Sequence, residues 1–249
     1  MFIDTHTHLS YNYGVNPKEF IENACNVEVN KIIVSCCDKE SILEGLELIK
    51  EFDNIYLTIG YHPENAGKVT DEDLIFLEDI VKTCSKVVGV GEIGLDYYWV
   101  KDNKDSQKDL FIKQLEIAKK FNLPVVIHSR DSIQDTYNIL SKYDLKGDIH
   151  CFSGSTEMSK EFIKLGYVIG IGGVVTFSNS KLYEVVKEIG INNIVLETDS
   201  PYLSPYRGKV NESCNIPVIA KKISEVLNIS IDEVRDVTTG NAVRLFDLN

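Results

Sequence analysis

Short apolar runs alternate along this chain with longer amphipathic ones. The short runs are FIDTHTH (2–8), KIIVSC (31–36), NIYLTIG (54–60), KVVGVGE (86–92), PVVIH (124–128), GDIHCF (147–152), YVIGIGG (167–173) and NIVLETD (193–199). They are rich in Val and Ile, as strands covered on both faces are. The longer stretches carry a helical period. In 108–121, Phe111, Leu115 and Ala118 share a face at spacings of four and three, and in 215–227 Ile216, Ile219, Ile223 and Val226 do the same. Thr70 with Asp73 and Ser230 with Glu233 have the spacing of helix-start capping boxes. A strand followed by a helix, eight times over, is the count of an α/β fold of one kind. The pattern predicts a (β/α)8 TIM barrel, a single domain over residues 1–249. The competing doubly wound sheet usually has a Gly-rich turn after its first strand, where this chain reads THTHLSYNYG.

The polar residues inside these runs change the picture from architecture to chemistry. Asp4, His6 and His8 alternate along the first run, which places them on one side of a strand. His62 follows the third run, His128 ends the fifth and His150 lies near the end of the sixth. With those, all five histidines of the chain sit at or just past the C-terminal end of a predicted strand. Glu92 and Asp199 end the fourth and eighth runs at the same level. In a barrel these ends converge on one rim, the rim where barrel enzymes work. Imidazole and carboxylate together ligate Zn²⁺ and related divalent ions. Four histidines and two carboxylates exceed one tetrahedral ion and suit two ions about 3.5–4 Å apart. His6, His8 and Asp199 are expected to hold the first ion and His128 and His150 the second, with Glu92 as the bridge. Asp4 and Glu197 each lie one layer below a ligand. Either one accepts a ligand's remaining imidazole N–H or serves as ordinary polar filling of the barrel. Zn²⁺, Mn²⁺ and Mg²⁺ all suit such a mixed nitrogen and oxygen set.

Charge narrows the partners. Lys and Arg number 26 against 38 Asp and Glu, a formal net charge of −12. Broad adhesion to nucleic acid or to anionic membrane is therefore disfavoured, although a local site built on cations is not. No apolar run approaches membrane-spanning length and no signal peptide is visible. The six cysteines (25, 36, 37, 84, 151 and 214) form no CxxC pair, so reduced thiols and a cytoplasmic setting are expected. Cys151, next to His150, is expected to point away from the ions. No obligate protein partner is evident.

FIDTHTHL, GYHPE, GEIGLDYY, PVVIHSRD, HCFSG, ETDSPYL, YRGKVN and TTGNAVRLF occur in this order from residue 2 to about 246. This ordered set resembles the TatD family of metal-dependent deoxyribonucleases, within the metallo-dependent hydrolases. The resemblance implies a (β/α)8 barrel, a divalent metal centre and 3′→5′ exonucleolytic hydrolysis of DNA phosphodiesters. Its implied ligands are His6, His8, Glu92, His128, His150 and Asp199, and its implied contact to the substrate phosphate is His62. One departure lies near the end. The family often reads RGxxNEP, and here Arg207, Gly208, Asn211 and Glu212 are followed by Ser213 in place of proline.

On this reading Asp199 also accepts the proton of the attacking water, and His62 orients the phosphate or protonates the leaving oxygen. Arg130 and Arg207 are the expected phosphate clamps. Tyr97, Tyr98 and Trp99 either stack bases near the site or pack their loop. With few basic residues for a duplex, ends, single strands and short oligonucleotides are the expected substrates. The rival within hydrolysis is a barrel acting on a small-molecule ester, lactone or amide, or on aminoacyl-tRNA. Many such barrels bridge their ions with a carbamylated lysine, and no predicted strand here ends in lysine. A binding protein with a structural metal is the rival of another class, but structural sites are closed and four-coordinate.

Overall fold

Every predicted strand is present, and the strands pair in chain order. The computed structural model describes residues 1–11 and 14–248. Strands β1 (Phe2–Thr7), β2 (Val29–Cys36), β3 (Ile55–Ile59), β4 (Val87–Asp96), β5 (Val125–Arg130), β6 (Gly147–Ile149), β7 (Tyr167–Ile171) and β8 (Ile194–Leu196) form one eight-stranded sheet. Each neighbouring pair is parallel. Parallel neighbours need a crossover, and the crossovers are helices α1 (Pro17–Cys25), α2 (Lys39–Glu51), α3 (Asp71–Thr83), α4 (Lys104–Phe121), α5 (Ile133–Leu140), α6 (Thr156–Lys164) and α7 (Leu182–Ile189). Helices α8 (Ile216–Leu227) and α9 (Ile231–Phe246) follow the last strand. The fold is a (β/α)8 TIM barrel.

The helix-start signals act as their chemistry dictates. Thr70 and Asp73 form a reciprocal capping box at α3, and Ser230 accepts the Glu233 N–H at α9. The period seen in 108–121 belongs to α4, which starts earlier, at Lys104.

The ring closes between its first and last strands by side chains and loop backbone rather than by a long ladder. Thr7 bridges Ser200 in parallel, and their hydroxyls are hydrogen-bonded. The His6 carbonyl accepts the N–H groups of Thr198 (3.4 Å) and Asp199 (3.0 Å), and His8 N–H donates to the Ser200 carbonyl at 2.8 Å. Thr5 Oγ1 donates to the Leu196 carbonyl at 3.1 Å. This seam fixes His6, His8 and Asp199 against one another.

Two apolar layers hold the barrel. The larger fills the space between strands and helices and includes Ile32, Leu57, Phe111, Phe162 and Ile223. The smaller joins Ile3, Ile33, Val88, Val126 and Val195 to Phe246 and Leu248. It plugs the barrel from the end where most of these strands begin. Phe246 is almost wholly buried there. Phe246→Ala is expected to cost about 3–5 kcal/mol of stability, read as a lower urea midpoint at unchanged slope.

Candidate metal centre

The C-terminal ends of the strands open into a cavity of about 740 Å³, lined among others by His8, His62, Glu92, Asp96, His128, His150 and Asp199. Glu92 stands at its centre, in the middle of β4 and nearly fully buried. Its two oxygens face different partners. Oε2 lies 3.5 Å from His6 Nε2 and 3.7 Å from His8 Nε2. Oε1 lies 2.6 Å from His128 Nδ1, 3.3 Å from His150 Nε2 and 3.8 Å from His62 Nε2. Burial alone would raise the Glu92 pKa. The charge of His150 and the bonds from His128, His150 and His6 outweigh it and hold the carboxyl well below the usual range.

Asp199 completes the side nearest the seam. Its Oδ1 is 3.4 Å from His8 Nε2 and 3.8 Å from His6 Nε2. Strand β8 ends three residues before it, and Asp199 itself adopts φ +55°, a left-handed conformation that Asp tolerates better than most residues. Three groups of ligand atoms lie within 4.8 Å of one another: His6 with His8 and Glu92, His6 with His150 and Asp199, and His62 with Glu92 and His128.

The donor chemistry of these residues fits divalent cations. His6 Nε2 and His8 Nε2 approach to 3.3 Å, and two carboxylate oxygens converge on the same point. The Ser35 carbonyl faces His8 Nδ1 at 3.2 Å. A carbonyl only accepts, so Nδ1 carries a proton and Nε2 is the nitrogen that would face a cation. Glu197 Oε2 does the same for His150 Nδ1 at 3.3 Å. The expected support of a ligand by Glu197 is thus present, reinforced by the Cys151 N–H on Oε1 at 2.7 Å. Gly170 makes the room, because a Cβ there would sit 2.5 Å from Glu197 Oε2.

Asp4 behaves differently from the expectation of an imidazole partner. The β1 register breaks between Asp4 and Thr7. Asp4 accepts instead from the backbone N–H groups of His6 (3.3 Å) and Thr198 (3.0 Å) and from Thr198 Oγ1 (2.6 Å). Burial pushes its carboxyl up to about 7. It therefore shapes the seam, and His6 Nδ1 is buried without a hydrogen-bond partner.

The grouping expected for a second ion also differs in detail. His128 meets Glu92 on one nitrogen and Asp96 Oδ2 on the other, at 3.0 Å. Burial disfavours its charge, but these two carboxylates hold its pKa up to about 9. His150 stacks on His6, with ring centroids 3.6 Å apart, and groups with the first set. His62 joins His128 in the other. Burial, with the charge of His128, pushes the His62 pKa down to about 3, so its ring is neutral. Its Nδ1 accepts the Glu64 N–H at 3.3 Å, which leaves the proton on Nε2, facing the cavity.

The two arginines separate. Arg130 lines the cavity, whereas Arg207 is exposed and is not among the lining residues. Ser213 is fully buried at the start of a short 3₁₀ turn and does not line the cavity either. Cys151 does line it, contrary to the alternation argument. Strand β6 stops at Ile149 and Cys151 has φ +44°, so strand parity no longer governs its direction. All six cysteines are free. No helix among the described residues is long and apolar enough to cross a membrane.

Two cavity residues escape motif reasoning. Asp96 ends β4, on the same strand parity as Glu92 and four residues beyond the end of the predicted run; Gly94 between them has φ +148°. Cys37 is buried, and its Sγ–H donates to Glu92 Oε2 at 3.5 Å. Burial holds that thiol neutral, so it remains a donor to the carboxylate.

Comparison with known proteins agrees with this centre. A family model described as "TatD related DNase" matches residues 3–247. The chain is 41% identical to the metal-dependent hydrolase YabD of Bacillus subtilis, over the full length of both. The crystal structure of YjjV, a TatD homolog from Escherichia coli, superposes with a TM-score of 0.92 at 30% identity, covering 100% of this chain and 98% of that one. A TatD-family hydrolase structure from Entamoeba histolytica shares the fold, with a TM-score of 0.87 at 24% identity and coverage of 98% and 97%. Barrel, convergent ligands and relatives together place this chain in the TatD family of metal-dependent hydrolases.

Proposed function

We propose that the protein hydrolyses phosphodiester bonds of DNA at 3′ ends, using two divalent ions held by His6, His8, Glu92, His128, His150 and Asp199. The observation that carries this reading is the division of Glu92, one oxygen toward His6 and His8 and the other toward His128 and His150. A carboxylate so placed would hold two cations together with these imidazoles, and two such cations would supply charge relief on both sides of an in-line displacement at phosphorus. Ions bound there, whether Zn²⁺, Mn²⁺ or Mg²⁺, supply Lewis acidity toward phosphoryl oxygens and lower the pKa of water toward about 7.

The chain's own residues carry the rest. Asp199 is deprotonated, because the bond from His8 and the charges of His150, His8 and His6 outweigh its burial. It accepts the proton of the attacking water. His62 presents a neutral Nε2–H to the cavity and donates to a phosphoryl oxygen or to the departing sugar oxygen. Arg130, on the cavity wall, offers a planar cation to phosphate. The net charge of −12 leaves little to attract a long duplex, which favours single strands and frayed ends.

The test is an assay after chelation and metal add-back. Single-stranded and duplex oligonucleotides labelled at the 5′ end are compared with a generic ester and a lactone. The expected result is a ladder shortened from the 3′ end, faster on the single strand, restored by a divalent ion. Ester or lactone turnover without DNA cleavage, or internal cuts in intact duplex, would overturn the reading.

A further inference from the structure

We propose that Trp99, braced by Tyr98 and Arg130, is a stacking platform for one unpaired base next to the bond being cut. This assignment rests on the nuclease reading above and adds to it a subsite that selects single-stranded ends.

The three consecutive aromatics divide their roles. Tyr97 packs its own loop: its hydroxyl donates to Asp135 Oδ2 at 2.8 Å and Lys104 lies over its ring at 4.3 Å. Tyr98 and Trp99 are 45% and 63% exposed, and Trp99 lines the same cavity as the metal-ligand candidates. Large rings left in water beside a polar cleft have the character of a binding surface. They are also held in place. The buried Asp96 accepts the backbone N–H groups of Tyr98 (2.9 Å) and Trp99 (2.8 Å) on Oδ1, while its Oδ2 meets His128 at 3.0 Å. Gln107 of α4 clamps the Asp96 backbone on both sides, accepting its N–H (2.8 Å) and donating to its carbonyl (2.9 Å). One carboxylate thus ties the aromatic turn to a metal-ligand imidazole, so the platform has a set offset from the centre.

Arg130 completes the arrangement. Its guanidinium carbon lies 4.5 Å from the Tyr98 ring centroid and 5.4 Å from that of Trp99. Tyr98 stands at 86° to Trp99, edge on, and so braces it. A cation beside an aromatic face suits a nucleotide, whose base stacks while its phosphate pairs with the arginine. Only an unpaired base offers a free face. In duplex the terminal base is held by its partner and by the pair beneath it, and reaching the ring costs that pairing, so the platform discriminates by strandedness rather than by sequence.

Trp99 is the chain's single tryptophan, which makes the subsite directly observable. The holoenzyme is titrated with a phosphorothioate-linked oligothymidylate and with the same backbone lacking bases. Tryptophan emission is expected to change with the first and not with the second. In parallel, wild type, Trp99→Phe and Trp99→Ala are compared for kcat/KM on cleavable single strands with and without a base at the 3′ end. Trp99→Ala is expected to reduce the preference for the base-bearing strand about ten-fold, through KM, with Trp99→Phe in between. An equal loss on both strands, or an unchanged preference, overturns the platform. If wild type cleaves neither strand, the nuclease reading itself fails, a result distinct from either of these.

Discussion

Glu92→Gln is expected to lower phosphodiester hydrolysis on the order of 10³-fold while the barrel remains folded. The side chain keeps its size and its place on β4, so packing is preserved. Its charge, however, is the only one among the described residues that faces both sets of imidazoles. An amide has one accepting oxygen and a donating nitrogen. Whichever way it turns, N–H groups confront the imidazole nitrogens that need to present lone pairs to a cation. A loss of about 4 kcal/mol of transition-state stabilisation corresponds to that factor in rate. The checks are kcat on a 5′-labelled single strand, metal content of the purified variant, and far-ultraviolet circular dichroism. A folded Glu92→Gln that turns over at the wild-type rate would remove Glu92 from the reaction.

Stripping the protein with a chelator is the second large effect. Activity is expected to fall to background and to return on add-back of a divalent ion. The same treatment should lower the melting temperature. A ligand present at about a hundred times its Kd stabilises the native state by about 2.7 kcal/mol, which for a domain of this size is a shift of about 5–11 °C. The physical source is local. Without a cation, Glu92 and Asp199 share a small space with imidazoles whose protonation must compensate them. Cations relieve the crowding of lone pairs between His6 Nε2 and His8 Nε2 at 3.3 Å. Differential scanning fluorimetry across Zn²⁺, Mn²⁺ and Mg²⁺ reads the shift and ranks the metals. Equal melting with and without ions, together with full activity in chelator, would exclude a metal centre here.

Much of this molecule is legible in its sequence because strands buried on both faces must be apolar, which leaves polar residues conspicuous at their ends. His6, His8, Glu92, His128, His150 and Asp199 stand out for that reason, and the fold brings them to one cavity or against it. What escapes is whatever depends on the chain leaving strand geometry. The sixth and eighth runs read as strands to Phe152 and Asp199, but β6 and β8 end at Ile149 and Leu196, and the backbone beyond turns to deliver His150, Cys151 and Asp199. Asp4 follows the broken register of β1 toward Thr198 instead of an imidazole. The fourth run reads as ending at Glu92, yet β4 continues to Asp96. Arg207 illustrates the limit of motif order, since its loop leaves it exposed and off the cavity wall.

The junction of β1 with the segment after β8 also sets when the proposed centre can assemble during synthesis. His6 and Asp199 meet only after some 190 intervening residues have been made, as the bonds joining Thr5 to Leu196 and Asp4 to Thr198 record. A nascent chain that has not reached residue 199 holds His6, His8, Glu92, His128 and His150 yet lacks Asp199. On the role proposed for Asp199, hydrolytic competence is thereby deferred to the last stage of assembly.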